Sequence, residues 1–361
     1  MNIYIYTVEG IKPSNCVGVL DTYTSFNFTK KFQSAGSFTI KGNYIPKVRQ
    51  MLKAGNLIYV NPQVCGIIHS VNYDVDKKGN LSYTVYGSEL KSILSYRIVW
   101  DTYNHKLPAA DWINGVVQEN VQGNRKLFEA HLKPAIDCPV LDKQVSYSNL
   151  LDTVSKACAA STTTKGLMLG FDITCDIENG FTFSLLEGAN RTWESPEPFT
   201  VSRDMDNVSS LSYAESSKKT VNVVKCGGEG EGAERRFEIG GDTTLSGLAR
   251  KESFKDSKSL QSTYRDAQGI EQTLSEEEYR KLLQQAANDA LKEDSITVDA
   301  ESIVGTSTAL ELLGAKVTLI DKTFGVRVDD FITEINWIDE SDGGLTTLTI
   351  GDGIDAQRLI V

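Results

Sequence analysis

Between Asn2 and Tyr86 apolar and polar residues alternate in short runs broken by turn formers: IYIYTV, VGVL, TYTSFNFTKKF, SFTIKG, LIYV, IIHSVNYDV and LSYTVY. A period of two in runs this short predicts strands with one buried face, and their number predicts a β-barrel or sandwich. One helix interrupts them. Pro46–Ala54 puts Val48, Met51 and Leu52 on one face, with proline near its start and Gly55-Asn56 after its end. Lys77-Lys78-Gly79-Asn80 supplies residues that tolerate positive φ, as a hairpin turn needs.

The pattern then changes. Ala109–Val121 and Asn149–Ala160 read as helices, the second with Leu150, Val154, Ala157 and Cys158 at one-face spacing. Leu167–Thr174 and Phe181–Leu186 flank Glu178-Asn179-Gly180, another hairpin signal. Strand-like residues resume at Val221–Val224, before the run Gly227-Gly228-Glu229-Gly230-Glu231-Gly232, which reads as a mobile loop. The clearest helix starts at Ser275, where Ser275-Glu276-Glu277-Glu278 forms a capping box framed by Leu274 and Tyr279. Leu282, Leu283, Ala286, Ala290 and Leu291 carry its apolar stripe toward Glu293, either to dock on its own domain or to meet a partner. Ser295–Val298 and Val317–Ile320 continue as strands. The expected division is residues 1–100 as a first β domain, 101–210 as an inserted α+β domain, and 211–361 as a second β domain carrying the helix 275–293.

Near its two ends the chain repeats itself without a gap. Gly66–Gly87 reads GIIHSVNYDVDKKGNLSYTVYG and Asp330–Gly351 reads DFITEINWIDESDGGLTTLTIG. Ile68 falls on Ile332, Asn72 on Asn336, Gly79 on Gly343, Leu81 on Leu345 and Gly87 on Gly351. Chance is the competing reading, since hairpins share one grammar of alternation around a glycine turn. Two similar units in one chain would give six in a trimer.

At 361 residues, 40% hydrophobic and 24% charged, the chain can bury two or three cores and is too ordinary to be disordered. No stretch reaches the roughly 20 apolar residues of a membrane span, and the start lacks a signal-peptide pattern, so a chain made and kept in a cytoplasm is expected. Six dispersed cysteines without C-x-x-C spacing read as reduced, mostly buried thiols. A net charge of -11 argues against specific nucleic-acid binding, which draws on Lys and Arg at phosphates.

Chemistry is sparse. His69, His105 and His131 stand on separate segments without metal-ligand spacing and read as structural or exposed. Asp74-x-Asp76 and Asp339-x-Ser341 have some calcium-loop character, but the closing Glu is replaced by Val85 and Ile350, so both read as hydrophilic turns. The glycine run lacks the Lys-Ser/Thr of a phosphate loop and contains acidic residues that repel phosphate. No nucleophile elbow or cysteine-nucleophile motif is present. No catalytic, cofactor-binding or metal residue is nominated, and interface residues cannot be assigned from sequence.

Three further segments carry a resemblance. Gly87–Trp100 reads GSELKSILSYRIVW; Lys31-Phe32 leads to Gly36-Ser37-Phe38-Thr39-Ile40; and Asn222-Val223-Val224 leads to the Gly-Glu-Gly-Glu-Gly run and Arg235-Arg236. In order and spacing they resemble the Gram-positive siphophage tail proteins related to baseplate hubs. The resemblance spans most of the chain and rests on fold signatures. It implies a mainly β protein with an α+β insertion, in which two similar β-barrel, tail-tube-like domains form a hub protomer. It also implies a structural, non-enzymatic role without a cofactor: a homotrimeric pseudo-six-fold ring joining the tail tube to the distal tip or baseplate, with a central channel for genome passage. Expected partners are a tail tube or distal tail protein and a tip fibre or receptor-binding protein, in a virion tail assembled in the host cytoplasm. Acidic residues lining the lumen would let DNA slide. Related hubs often continue into a lysin or fibre, whereas this chain stops at Val361, so either a separate protein is expected to supply cell-wall cleavage or a receptor tip, or the hub itself is expected to touch the host. The alternative is a tail-tip adhesin whose middle domain binds a host-surface glycan through Trp100, Trp112, Tyr103, Tyr147 and Trp193, residues that also read as core. A peptidoglycan hydrolase is a third class, without a supporting motif.

Overall fold

The alternating runs become strands, as their period requires. The computed structural model describes every residue except 259, 266–270, 293–294, 303–305, 324, 341–342, 352–358 and 361. The first segment contains β1 (Ile3–Glu9), β2 (Lys12–Leu20), β3 (Tyr23–Lys31), β4 (Ser37–Asn43), α1 (Pro46–Met51), β5 (Leu57–Asn61), β6 (Val64–Val75) and β7 (Leu81–Glu89). A 3-10 turn over Leu90–Tyr96 leads into the insertion: β8 (Tyr103–Pro108), α2 (Ala109–Asn120), β9 (Ala130–Leu132), β10 (Val140–Val145), α3 (Leu150–Ala159), β11 (Leu169–Asp176) and β12 (Gly180–Glu187). Two short strands follow, β13 (Asn190–Arg191) and β14 (Thr200–Val201), then β15 (Val208–Ser216). Next come β16 (Val223–Gly227), β17 (Phe237–Gly241), β18 (Glu252–Asp256), β19 (Thr263–Arg265), β20 (Glu271–Thr273) and α4 (Glu276–Asn288). The chain returns through β21 (Ser295–Ser302), α5 (Thr306–Leu312), β22 (Lys316–Asp321), β23 (Val326–Glu340) and β24 (Gly343–Ile350).

Contacts divide the chain into two units, Met1–Ser212 with Val298–Gly351, and Tyr213–Thr297. This differs from three consecutive segments. Residues 298–351 enter the sheet of the first segment, in the order β21-β24-β23-β3-β4-β7-β6-β5-β1-β2. At its far end β2 pairs, among the described residues, with β1 alone. The sheet is therefore open, where two closed barrels were expected.

One face of this sheet buries Ile3, Ile5, Phe26, Phe28, Phe38, Ile40, Ile68, Tyr83 and Val85, with Val48, Met51 and Leu52 of the α1 region laid across them. The opposite face of β5 and β6 contributes Leu57, Cys65 and Ile67 to a second core built with the insertion around Trp112, Phe171 and Phe183. Alternation along β5 and β6 thus feeds two cores, one per face. Five of the six cysteines are buried and Cys16 is exposed.

Both members of the sequence repeat are hairpins of this sheet, and both bulge at the same aligned place. Pairing shifts between Ile68 and Ser70 in one and between Ile332 and Glu334 in the other, leaving His69 and Thr333 as the extra residues. The ungapped register holds on the outgoing strands and fails by one on the return strands. Ser70 faces Tyr86 while Glu334 faces Thr349, so Val85 corresponds to Leu348 rather than to Thr349. Burial agrees, because Val85 and Leu348 both point into a core. The cause is the turn: Val75 pairs with Leu81 across five residues, whereas its counterpart Asp339 pairs with Gly344 across four. A one-residue slip would flip every side chain to the other face, so the loop length sets the register.

In the second unit β17-β16-β18 form a small sheet against which α4 packs. The Ser275 hydroxyl accepts from Glu278 N (3.3 Å) and Glu278 Oε2 accepts from Ser275 N (2.9 Å), completing the expected capping box. Tyr279, Leu283 and Ala287, one per turn, are fully buried on Val224 and Cys226, so α4 docks on its own unit. The helix ends at Asn288, short of the expected 293; Glu293 lies outside the described residues.

Candidate functional site

Among the described residues, the outer face of β24-β23-β3-β4-β7 carries no buried apolar layer. Its side chains include Asn27, Thr29, Thr39, Thr84, Asn336 and Thr347, all partly exposed. Ladder pairs on this face include Lys31 with Glu334 (2.9 Å), Thr29 Oγ1 donating to Asn336 Oδ1 (3.2 Å), and Ser25 Oγ donating to Glu340 Oε1 (3.2 Å), beside an apolar pair, Ile338 with Leu345, and the exposed Tyr86. Lys31 and Lys41 balance Glu334 and Glu340, so the acidity of the chain is not concentrated here.

Inward from the same strands lies a cluster of four buried charges. Lys30 Nζ sits 2.8 Å from Glu89 Oε1 and 3.0 Å from Asp172 Oδ1, and also donates to Gln63 O at 3.0 Å. Lys91 Nζ lies 3.4 Å from Glu89 Oε1, donates to Lys31 O and stands over the Phe171 ring. Glu89 Oε2 accepts from Gly36 N (2.8 Å) and Asp172 Oδ1 from Ile173 N (2.9 Å). Charges this buried persist only when paired and hydrogen-bonded. Burial works to lower the Lys30 pKa, but Asp172 and then Glu89 outweigh it and hold it raised; at Lys91 burial prevails over Glu89 and the pKa is lowered. The cluster ties β3 and β7 to β11 of the insertion. A lysine in the apolar phase Phe26-x-Phe28-x-Lys30, and a glutamate in Tyr83-x-Val85-x-Gly87-x-Glu89, were the signals that could have revealed it.

The five aromatics nominated for glycan contact separate in the structure. Trp112 is fully buried, with Nε1 donating to Lys143 O (3.1 Å), and Tyr103 is 3% exposed; both are core. Trp193 is 52% exposed on a different element, where its N–H donates to Thr318 Oγ1. Trp100 (58% exposed) and Tyr147 (72%) stand on neighbouring stretches of backbone, because residues 97–99 run antiparallel to 147–150. Val99 N donates to Ser148 O and Val99 O accepts from Tyr147 N, both at 2.9 Å, so two residues oppose one in a bulge. Tyr147 has φ of 54°, a conformation that costs a side-chain-bearing residue about 1–2 kcal/mol and that glycine adopts freely. Tyr96 and Ile98 are exposed beside them. The Arg125 guanidinium stacks 5.1 Å from the Trp100 ring and donates to Ile98 O (2.7 Å), while Arg97 Nε donates to Arg125 O (2.7 Å). Sequence gave no sign of the bulge, since Ser146-Tyr147-Ser148 contains no glycine.

The remaining candidates are structural. His131 Nε2 bonds Asn114 Oδ1 (2.8 Å) with its ring edge-on to Phe183, and burial, then Lys133, pushes its pKa down to about 4. His105 packs on Tyr103, and His69 Nε2 bonds Ser88 Oγ. Asp76 accepts from Lys78 N, Asn80 N and Asn80 Nδ2, making the expected hydrophilic turn. Of its counterpart Asp339-x-Ser341, Ser341 lies outside the described residues; the Tyr23 hydroxyl donates to the Asp339 carboxylate. The Gly227–Gly232 run is pinned rather than loose. Arg235 donates to Gly228 O (3.1 Å) and Gly227 O (2.9 Å), and Glu229 Oε2 accepts from Ser262 N (2.9 Å). Gly228 touches α4 so closely that a Cβ there would lie 2.3 Å from Tyr279 Oη.

The open sheet with its α+β insertion is a fold shared with solved phage tail proteins. The tail protein from Neisseria meningitidis MC58 superposes with a TM-score of 0.56 at 14% identity, covering 97% of this chain and 96% of its own. The 43 kDa tail protein of prophage MuSo2 from Shewanella oneidensis gives 0.56 at 11% identity, covering 97% of each chain. Prophage tail protein gp18 from Listeria monocytogenes EGD-e gives 0.53 at 12% identity, covering 98% and 95%. The sequence profile of the Siphovirus ReqiPepy6 Gp37-like protein family matches residues 12–352, and the chain belongs to that family. No curated protein sequence matches it. The expectation of a siphophage family with the fold of tail proteins is met.

Proposed function

We propose that the chain is a non-enzymatic tail hub, three copies of which close into a pseudo-six-fold ring joining the tail tube to the distal tip, with the genome passing through its centre. The observation that carries this reading is the open sheet, with its end strand β2 and an outer face that carries no buried apolar layer among the described residues. Free sheet edges invite uncontrolled pairing, and a closed ring of copies removes them. Two hairpins with one shared bulge support a protomer that counts twice in the ring. A face whose lysines are matched by glutamates suits a channel wall, because it offers DNA no excess of lysine or arginine to hold its phosphates. In this reading slippage comes from charge balance rather than from an acidic lining. A tube or distal tail protein docks on one side of the ring, and a tip fibre or receptor-binding protein on the other. Light scattering on the purified chain, with negative-stain images of the same fraction, tests it. The expected result is three times the 39.7 kDa chain mass and a ring of six lobes. A monomer at all concentrations, alone and mixed with the tube protein, overturns it.

A further inference from the structure

The Trp100–Tyr147 surface is unused by the hub reading and does not depend on it. Four features converge there. Tyr96, Ile98, Trp100 and Tyr147 are exposed to 51%, 38%, 58% and 72% on one short stretch of paired backbone. Tyr147 occupies a backbone conformation in which glycine would be at ease, so stability alone does not account for an aromatic there. Arg125 is near enough to act on the charge of Arg97, whose guanidinium donates to the Arg125, Tyr96 and Lys126 main-chain carbonyls, and neither arginine has a carboxylate within ion-pair distance among the described residues. Their neighbour Lys126, by contrast, is paired with Glu129 at 2.7 Å. The rim is hydroxylic: Thr102 and Ser146 bond each other (2.9 Å), and Ser148 Oγ donates to Ser146 O (3.2 Å).

We propose that this surface is a binding site for an acidic oligosaccharide, whose sugar rings lie on Trp100 and Tyr147 and whose carboxylate or phosphate groups meet Arg97 and Arg125. Size separates this occupant from a protein. The four side chains expose roughly 500 Å², the scale of one functional patch on a monomer, against about 800 Å² per partner in a standard protein interface. Charge selects within saccharides. Two like charges held side by side without a carboxylate are complementary to an anion, and burial plus Arg125 already lower the Arg97 pKa, a penalty that an anionic ligand would relieve.

The test is titration of the full chain with tetragalacturonate, with an oligomer of glycerol phosphate, and with neutral maltotetraose, followed by tryptophan fluorescence and calorimetry. One of the anionic probes is expected to bind at about 1 mM or tighter and to weaken with added salt; which one does so distinguishes a uronate from a phosphate polymer. Trp100→Ala and Tyr147→Gly are each expected to weaken binding at least about tenfold. Tyr147→Gly should keep or raise the melting temperature, because glycine relieves the positive φ. The proposal is overturned if neither anionic probe binds at about 10 mM, if maltotetraose binds equally well, or if Tyr147→Gly binds like the parent. A fall in the solution mass of the assembled chain in either variant would instead make the patch a protein interface, and would also overturn it. An intact ring without saccharide binding removes this proposal alone; saccharide binding by a monomer removes the hub reading alone.

Discussion

Substituting Lys30 by methionine removes one cation from a neutral set of four buried charges, leaving Glu89 and Asp172 facing Lys91 alone. Lys30 is 5% exposed and Glu89 1%, so water replaces little of what is lost. Breaking a buried pair by deleting one partner costs about 3–5 kcal/mol, most of it from the charge left behind. At about 1–2 °C per kcal/mol in a chain of 361 residues, the melting temperature should fall roughly 5 °C. Asp172→Asn alone leaves the opposite imbalance and should also destabilise, although its Oδ1 can still accept from Ile173 N. The double variant restores neutrality, with Lys91 facing Glu89. Its loss should therefore be smaller than the sum of the two single losses by at least about 2 kcal/mol. Urea unfolding of the four proteins, read as a double-mutant cycle, measures this coupling. Losses that add within about 0.5 kcal/mol, or a single loss below about 1 kcal/mol, would refute the claim that the four charges act as one unit.

Two further predictions concern other positions. His131 binds its proton less readily in the folded state, at about 4 against an ordinary 6.5, so its contribution is complete above pH 6.5 and is lost as the pH falls toward 4; His131→Gln should flatten that limb of the urea midpoint against pH, and an unchanged slope would contradict it. Gly228→Ala places a Cβ 2.3 Å from Tyr279 Oη and should cost about 1–3 kcal/mol, seen as earlier exchange of α4 amides and not of α3 amides.

Local pattern revealed the elements and little of their partnership. The period of two gave β1–β7 and the period of 3.6 gave α2, α3 and α4, because each is imposed by a face the element itself must bury. That β23 would lie beside β3 was not legible, since alternation says which face is apolar and not which strand is the neighbour. The repeat was visible in the outgoing strands and misleading in the return strands, where a shorter turn moved the register by one. The buried charges left a trace, Lys30 and Glu89 each breaking an apolar phase, but Asp172 became their partner only through the tertiary fold. Of the glycan candidates, Trp112 and Trp100 look alike in sequence. Only the helical stripe of α2 draws the first into the core, and the bulge at Tyr147 keeps the second company outside.

The hydrogen bond between Thr29 and Asn336 joins residues 307 positions apart. A ribosome adding about 5–20 residues per second needs roughly 15–60 s to cover that distance, and throughout it β3 has β4 available on one side but not yet β23 on the other. Lys30 spends the same interval without Asp172 for much of the time, an ammonium on the face that will become core. An inward-pointing charge is among the devices that keep an open strand from pairing with the wrong chain. By that logic Lys30 would guard β3 during synthesis, and it ties β3 to the insertion once Asp172 is in place.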